Sequence, residues 1–122
     1  MKLHLSPETG QNIFTAYGDG YVMVNKTRHE KSLIVFPDHL IEDWPAQNIE
    51  QLESSHLECI LPHQPEIVLL GTGTKLQFPD HALISVLVKA QIGFEVMDTQ
   101  ATCRTYNILV DEGRRVAAAI LI

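Results

Sequence analysis

Hydrophobic and polar positions follow two different rhythms, one in each half of the chain. In the first half Ile13, Thr15 and Tyr17 alternate, Gly18-Asp19-Gly20 supplies turn chemistry, and Tyr21-Val22-Met23-Val24 resumes in β-forming residues. Lys31-Ser32-Leu33-Ile34-Val35-Phe36 reads as a third strand stopped by Pro37-Asp38, and Leu40-Ile41 as a fourth, ended by Trp44-Pro45. Residues 1–45 are therefore expected to form a β-rich antiparallel meander. A helix is expected from about Asn48 to Leu61: Asn48 and Gln51 have capping-box spacing, and Ile49, Leu52 and Ile60 share a face. Pro62 and Pro65 end it.

In the second half, 46–122, apolar runs alternate with helical periodicity. Glu66–Leu70 is a continuous apolar run after its first residue, as expected of a strand covered on both faces. A loop with Gly71 and Gly73 leads to a helix opening near Pro79-Asp80, with an apolar stripe of Leu83, Ile84, Leu87 and Val88. A strand at Gly93–Met97, a helix from Thr99 to about Glu112 closed by Gly113, and a strand at Arg115–Leu121 complete the order β-α-β-α-β. That order implies right-handed crossovers and at least partly parallel pairing. Parallel strand ends facing one edge of an open sheet form the crevice where α/β folds bind ligands.

Composition narrows the class. A chain of 122 residues that is 45% hydrophobic, with no linker or repeat, reads as one globular domain. A net charge of −6, with only nine scattered Lys and Arg, argues against nucleic acid, because phosphate binding needs a basic stripe. Cys59 and Cys103 make neither a disulfide framework nor a CxxC motif, which fits a reducing compartment and a cytoplasmic location. The opening Met1-Lys2-Leu3-His4-Leu5-Ser6-Pro7-Glu8 lacks the apolar segment of a targeting peptide. The apolar run Val116–Ile122 is far shorter than the roughly 20 residues a membrane span needs. Any membrane association is therefore expected through a partner or a surface patch.

Reactive side chains concentrate where the strand at 93–97 enters the next helix. Asp98 or Thr99 is placed to cap that helix, and Gln100, Arg104, Asn107 and Asp111 recur at helical spacing. Two readings stand: a solvated polar face, or a helix start that binds a carboxylate or phosphate with Arg104 as counter-ion. An ion pair of Arg104 with Asp98, locking the strand–helix junction, is a further alternative. Cys103 lies beside Arg104 in sequence, a setting that favours thiolate, yet no histidine is near it in sequence to act as base. A small core filler is the plainer reading of that cysteine. Gly71-Thr72-Gly73 completes neither phosphate-loop fingerprint and reads as a tight turn that can line a crevice. His56, Cys59 and His63 fall on one helical face but lack a fourth ligand, so no metal and no cofactor is assigned. The candidate site is Gly71, Thr72, Gly73, Asp98, Thr99, Cys103, Arg104 and Asn107, with no catalytic residue among them assigned.

The segments Leu69-Leu70-Gly71-Thr72-Gly73, Phe78-Pro79, Ile92-Gly93-Phe94-Glu95-Val96-Met97-Asp98-Thr99, Cys103-Arg104-Thr105-Tyr106-Asn107 and Glu112-Gly113-Arg114-Arg115-Val116 together resemble one family. It is the small domain family that includes a mitochondrial respiratory complex I assembly factor, an adipogenesis-associated mammalian protein and many uncharacterised bacterial proteins. The resemblance implies a three-layer α/β fold: a mixed central sheet, helices on one side and an antiparallel β layer on the other. It implies no set of catalytic residues. Its mitochondrial members imply a non-enzymatic interaction or assembly role, with an unknown protein partner that can belong to a membrane-associated complex. The alternative is a protein, or an enzyme, that binds a small anionic metabolite in the crevice. Monomer and homodimer are both compatible with the sequence.

Overall fold

A computed structural model describes residues 10–122. The opening segment read above for targeting signals lies at residues 1–9, outside the described residues. The strands are β1 (Phe14–Gly18), β2 (Tyr21–Val24), β3 (Thr27–His29), β4 (Leu33–Phe36), β5 (His39–Ile41), β6 (Ile67–Gly71), β7 (Gly93–Met97) and β8 (Val116–Ile120). The α-helices are α1 (Ser54–Glu58), α2 (His81–Lys89) and α3 (Thr99–Asp111). β1–β3 form a small antiparallel sheet, and the other five strands form a mixed sheet in the order β5-β4-β8-β6-β7. β6 runs parallel to both β7 and β8, while β4 runs antiparallel to β5 and β8.

The mixed sheet and the antiparallel β layer match the architecture implied by the resemblance, but one helix is on the other side. β6 to β7 steps outward in the sheet, and β7 to β8 steps back across β6. Two right-handed crossovers that step in opposite directions must place their helices on opposite faces. Leu87 of α2 accordingly packs with Trp44, Leu57, Ile60 and Leu70 on one face. Cys103, Tyr106 and Val110 of α3 pack with Phe14, Val22, Leu69 and Ile120 on the other. So α3 shares its face with the antiparallel sheet, and the expected layer of helices on one side is made by α1 and α2 alone. β8, the middle strand, alternates its side chains between the two cores: Val116, Ala118 and Ile120 one way, Ala117 and Ala119 the other.

Two local expectations also change. The run at 31–36, expected as the third strand of a meander, is β4 and belongs to the mixed sheet. All four of its residues are buried, the pattern of a strand covered on both faces. The third strand of the small sheet is instead the polar Thr27–His29. The helix expected over 48–61 is broken into a 3-10 turn at Ile49–Gln51, α1, and a second 3-10 turn at Leu61–His63. Asn48 does cap the first piece, accepting from Gln51 N at 2.9 Å. Glu53 then starts a new helix, its backbone N–H donating to His56 Nδ1 at 2.9 Å, so the chain is capped twice where one helix would need continuity.

The small sheet is fastened to α3 by a side chain. Asn107 is buried; its Oδ1 accepts from Phe14 N at 2.9 Å and its Nδ2 donates to Phe14 O at 2.8 Å. Next to it Tyr106 donates its hydroxyl to Asn12 O at 2.8 Å, and its ring meets Phe14 edge-on at 5.0 Å. Asn107→Leu leaves the Phe14 N–H and C=O buried without partners. A loss of about 2–4 kcal/mol is expected from two such orphaned groups, measured by urea denaturation. An unchanged midpoint would mean that β1 docks without this amide.

Candidate functional site

The C-terminal ends of β6, β7 and β8 reach the same rim of the sheet, because all three run parallel. The connection after β6 leaves towards α2 and the one after β7 towards α3, so the chain parts to opposite faces between two adjacent strands. Such a reversal opens a crevice in α/β sheets. Here it has a volume of about 540 Å³. Its walls are the loop at Thr72–Gln77, the start of α3 at Asp98–Gln100, and Leu121-Ile122; the β1–β2 turn with Tyr17 and Tyr21 closes it from the antiparallel layer.

Of the eight residues predicted for the site, Thr72, Gly73, Asp98 and Thr99 line this crevice, and Gly71, Cys103, Arg104 and Asn107 do not. Gly71 ends β6 under α3: a Cβ there would stand 3.0 Å from both Ile120 Cδ1 and Thr102 Oγ1, so close packing favours a glycine. Gly73, at φ +89°, supplies the left-handed turn that the loop needs. Asn107 leaves the polar face of α3 to hold β1. Arg104 is exposed and forms no ion pair with Asp98 or any other described residue. The cation on the crevice wall is Lys75, which no motif marks because it completes no phosphate-loop pattern.

The expected anion cradle is already occupied by the protein itself. Asp98 Oδ1 accepts from Ala101 N at 2.8 Å, and Asp98 O accepts from Thr102 N at 3.0 Å. Thr99 N donates to Gly73 O at 2.8 Å while Gly73 N donates back to Thr99 Oγ1 at 3.0 Å. The Thr72 hydroxyl donates to Lys75 O at 2.7 Å and accepts from Gln77 N at 3.2 Å. A carboxylate of the chain thus sits where a ligand anion would. The strand–helix junction is locked, as one alternative proposed, but by these backbone and hydroxyl bonds rather than by Arg104 with Asp98.

Cys103 is buried in the core beside Tyr106 and Leu69. Desolvation there pushes its thiol up to about 12, so the thiolate that nucleophilic chemistry requires is suppressed. The His56, Cys59 and His63 spacing does not become a metal site. His56 Nδ1 is spent on Glu53 N, Cys59 Sγ donates to His56 O at 3.1 Å, and the His63 ring stacks on His39 at 4.6 Å and lies tilted against Phe36 at 4.4 Å. Among the described residues no cluster of three or more ligating side chains is suited to a metal ion.

A second surface carries no motif at all. α2, His-Ala-Leu-Ile-Ser-Val-Leu-Val-Lys, buries only Leu87. Its one central hydroxyl, on Ser85, turns back to Ala82 O at 2.9 Å. Val88 is 65% exposed, and Leu76 and Phe78 in the preceding loop are 52% and 73% exposed. A helix apolar on nearly every side is normally covered. The signal was present in the sequence as an apolar stripe without a polar opposite face.

These features define a mixed-sheet α/β domain whose strand-end crevice is largely satisfied by its own hydrogen bonds and whose flanking helix is unusually apolar. The chain belongs to the family described as a protein of unknown function (DUF498/DUF598), whose model matches residues 14–121. The 13 kDa major membrane protein of Francisella tularensis subsp. holarctica is 33% identical over 109 residues, covering 88% of this chain and 89% of that one. The human NADH dehydrogenase [ubiquinone] 1 alpha subcomplex assembly factor 3 is 28% identical over 120 residues; the match covers 96% of this chain but 65% of the human protein. A crystal structure of a protein from Bordetella parapertussis superimposes with a TM-score of 0.87 at 40% identity, covering 94% of this chain and 98% of that one. No helix among the described residues is long and apolar enough to cross a membrane.

The buried thiol sets a pH dependence. Folding disfavours the Cys103 thiolate, so the stability contributed there is complete below the unfolded thiol's pKa and is lost as the pH rises through that value towards about 12. Cys103→Ala should flatten the alkaline fall of the urea midpoint, leaving the part due to Tyr106, whose hydroxyl burial also pushes up. In the native protein alkylation of Cys103 should run about a thousandfold slower than for an ordinary thiol that titrates at 9.0, and a rate near that of a free thiol would contradict the burial.

Proposed function

We propose that the chain is a cytoplasmic, non-enzymatic docking protein that helps to assemble a membrane-associated complex. The observation that carries this reading is α2: nine residues, six of them Ala, Leu, Ile or Val between His81 and Lys89, with a single buried side chain. Apolar surface left in water costs about 25 cal/mol per Å², and a protein partner removes that cost. The exposed Leu76 and Phe78 extend the same chemistry into the loop before the helix. The relatives support the reading through their names, one an assembly factor for a respiratory dehydrogenase and one a major membrane protein. The suppressed thiol and the self-satisfied helix start leave little for chemistry in the crevice.

Capture of partners from mildly solubilised native membranes, using the tagged full chain, tests this. Val88→Asp should abolish capture of the reproducible partners while changing stability by no more than about 0.5 kcal/mol, because Val88 is a surface position. Identical partners with wild type and variant would remove α2 from the docking surface.

The open crevice supports a second reading, a small anionic ligand with Lys75 as its cation. A thermal-shift panel of phosphorylated and carboxylated metabolites should then give a stabilising hit that Lys75→Ala weakens by roughly 1.5–3 kcal/mol. A panel without hits discards it.

A further inference from the structure

The mixed sheet ends on β7, and no described strand pairs with its outer side. The ladder with β6 fixes which groups face outward. Gly93 N donates to Glu66 O and Met97 O accepts from Thr72 N, each at 2.9 Å. In a parallel ladder this directs the N–H and C=O of Gly93, Glu95 and Met97 towards β6. The N–H and C=O of Phe94 and Val96 therefore point out of the sheet, and neither residue bonds to another described element. The edge stops sharply on one side, since Ile92 N is spent on Leu87 O at 2.9 Å.

Side chains along this edge are divided between the faces. Phe94 packs with the α2 core and Met97 with the α3 core, so Glu95 projects on the α3 face and Val96 on the α2 face. Glu95 is exposed and has no ion pair among the described residues. A second copy of this chain fits poorly. The antiparallel two-fold register that uses both Phe94 and Val96 in both copies sets Glu95 directly opposite its own equivalent, in the close, non-hydrogen-bonded pair. Registers centred on Phe94 or Val96 use only half of the outward groups.

We infer that β7 is the docking edge for an extended segment of a partner protein, which adds as a further strand with a Lys or Arg opposite Glu95 and apolar residues on either side of it. The flanking apolar residues fall on the α2 face, where the incompletely covered helix meets them. The basic residue falls on the α3 face and neutralises Glu95. The inference deepens the docking function proposed above, and rests on it, by naming the partner's chemistry: an apolar–basic–apolar strand, recognised by main-chain hydrogen bonds and one charge.

A display library of random dodecapeptides, selected on the full-length chain, tests it. Enriched peptides should alternate apolar residues around a Lys or Arg. Val96→Pro, which removes one outward N–H and no bond to β6, should fold and lose them. Glu95→Lys should weaken the basic peptides about fivefold and favour versions with Glu at the same position. Amide exchange should slow at Phe94 and Val96 when a selected peptide is bound. No enrichment, enrichment that both variants leave intact, or a wild-type dimer in sedimentation that Val96→Pro dissolves would each overturn the inference. If partner capture from membranes fails with Val88→Asp but persists with Val96→Pro, docking stands and the strand-edge inference alone falls.

Discussion

One side-chain amide on α3 fixes where the small sheet docks in this protein. Asn107 presents Phe14 with an acceptor and a donor in the way a neighbouring strand would. A small antiparallel sheet draws its stability from an apolar face packed on a cover, and Phe14, Tyr17, Val22 and Val24 supply that face. Here the cover is α3, and the amide decides where β1 lies along it. Tyr106 and its bond to Asn12 fix the approach from the same turn of the helix. Several other features depend on that seating. It places Tyr17 and Tyr21 over the strand ends, closes the crevice on one side, and excludes water from Cys103. A buried polar pair of this kind adds specificity as well as stability, because a slip of β1 by one residue would leave both partners unsatisfied.

Much of the second half was legible in the sequence because local signals there agree with one another. The apolar runs of β6 and β8, the Asp98 cap and the Gly113 stop all fall where their chemistry requires. Strand order was not legible, since periodicity describes a strand's environment and not its neighbours. The right-handed crossover rule settles the side of α3 only once β8 is known to lie inside β6. The broken helix at 49–63 was missed because two competing caps, at Asn48 and Glu53, look like one propensity with weak residues in its middle. At the site, Cys103 is the small core filler of its plainer reading, while Asn107 has a role that its spacing did not show. Asn107 at helical spacing from Arg104 looks solvated, and only the position of β1 makes it a buried fastening. Cys103 beside a cation allows two readings, and the packing of Leu69 and Tyr106 decides for the core filler.

The crevice and the α2–β7 border illustrate how a site can be open yet chemically quiet, or free of any motif yet unsatisfied. At the strand ends there is volume, but hydroxyls, amides and a carboxylate answer one another across Gly73, Asp98 and Thr99. Displacing them would cost bonds already made, so a ligand gains only what remains on the walls. At α2 the balance is opposite. No polar group waits there for a substrate, yet apolar side chains remain in contact with water and contribute to binding whatever covers them.

The topology explains why the unsatisfied border lies where it does. Crossover helices cover the faces of parallel strands, but an open sheet still keeps an edge strand at each margin. In this chain the step after β7 returns inward to β8 instead of outward, so β7 stays at the margin with α2 beside it. An uncovered margin is a hazard of self-association unless something opposes it. Glu95, at the middle of β7, supplies that opposition, since it would meet its own charge in the best self-pairing register. The same carboxylate that repels a copy favours a strand of opposite charge. Partner choice then follows as much from what the edge refuses as from what it accepts.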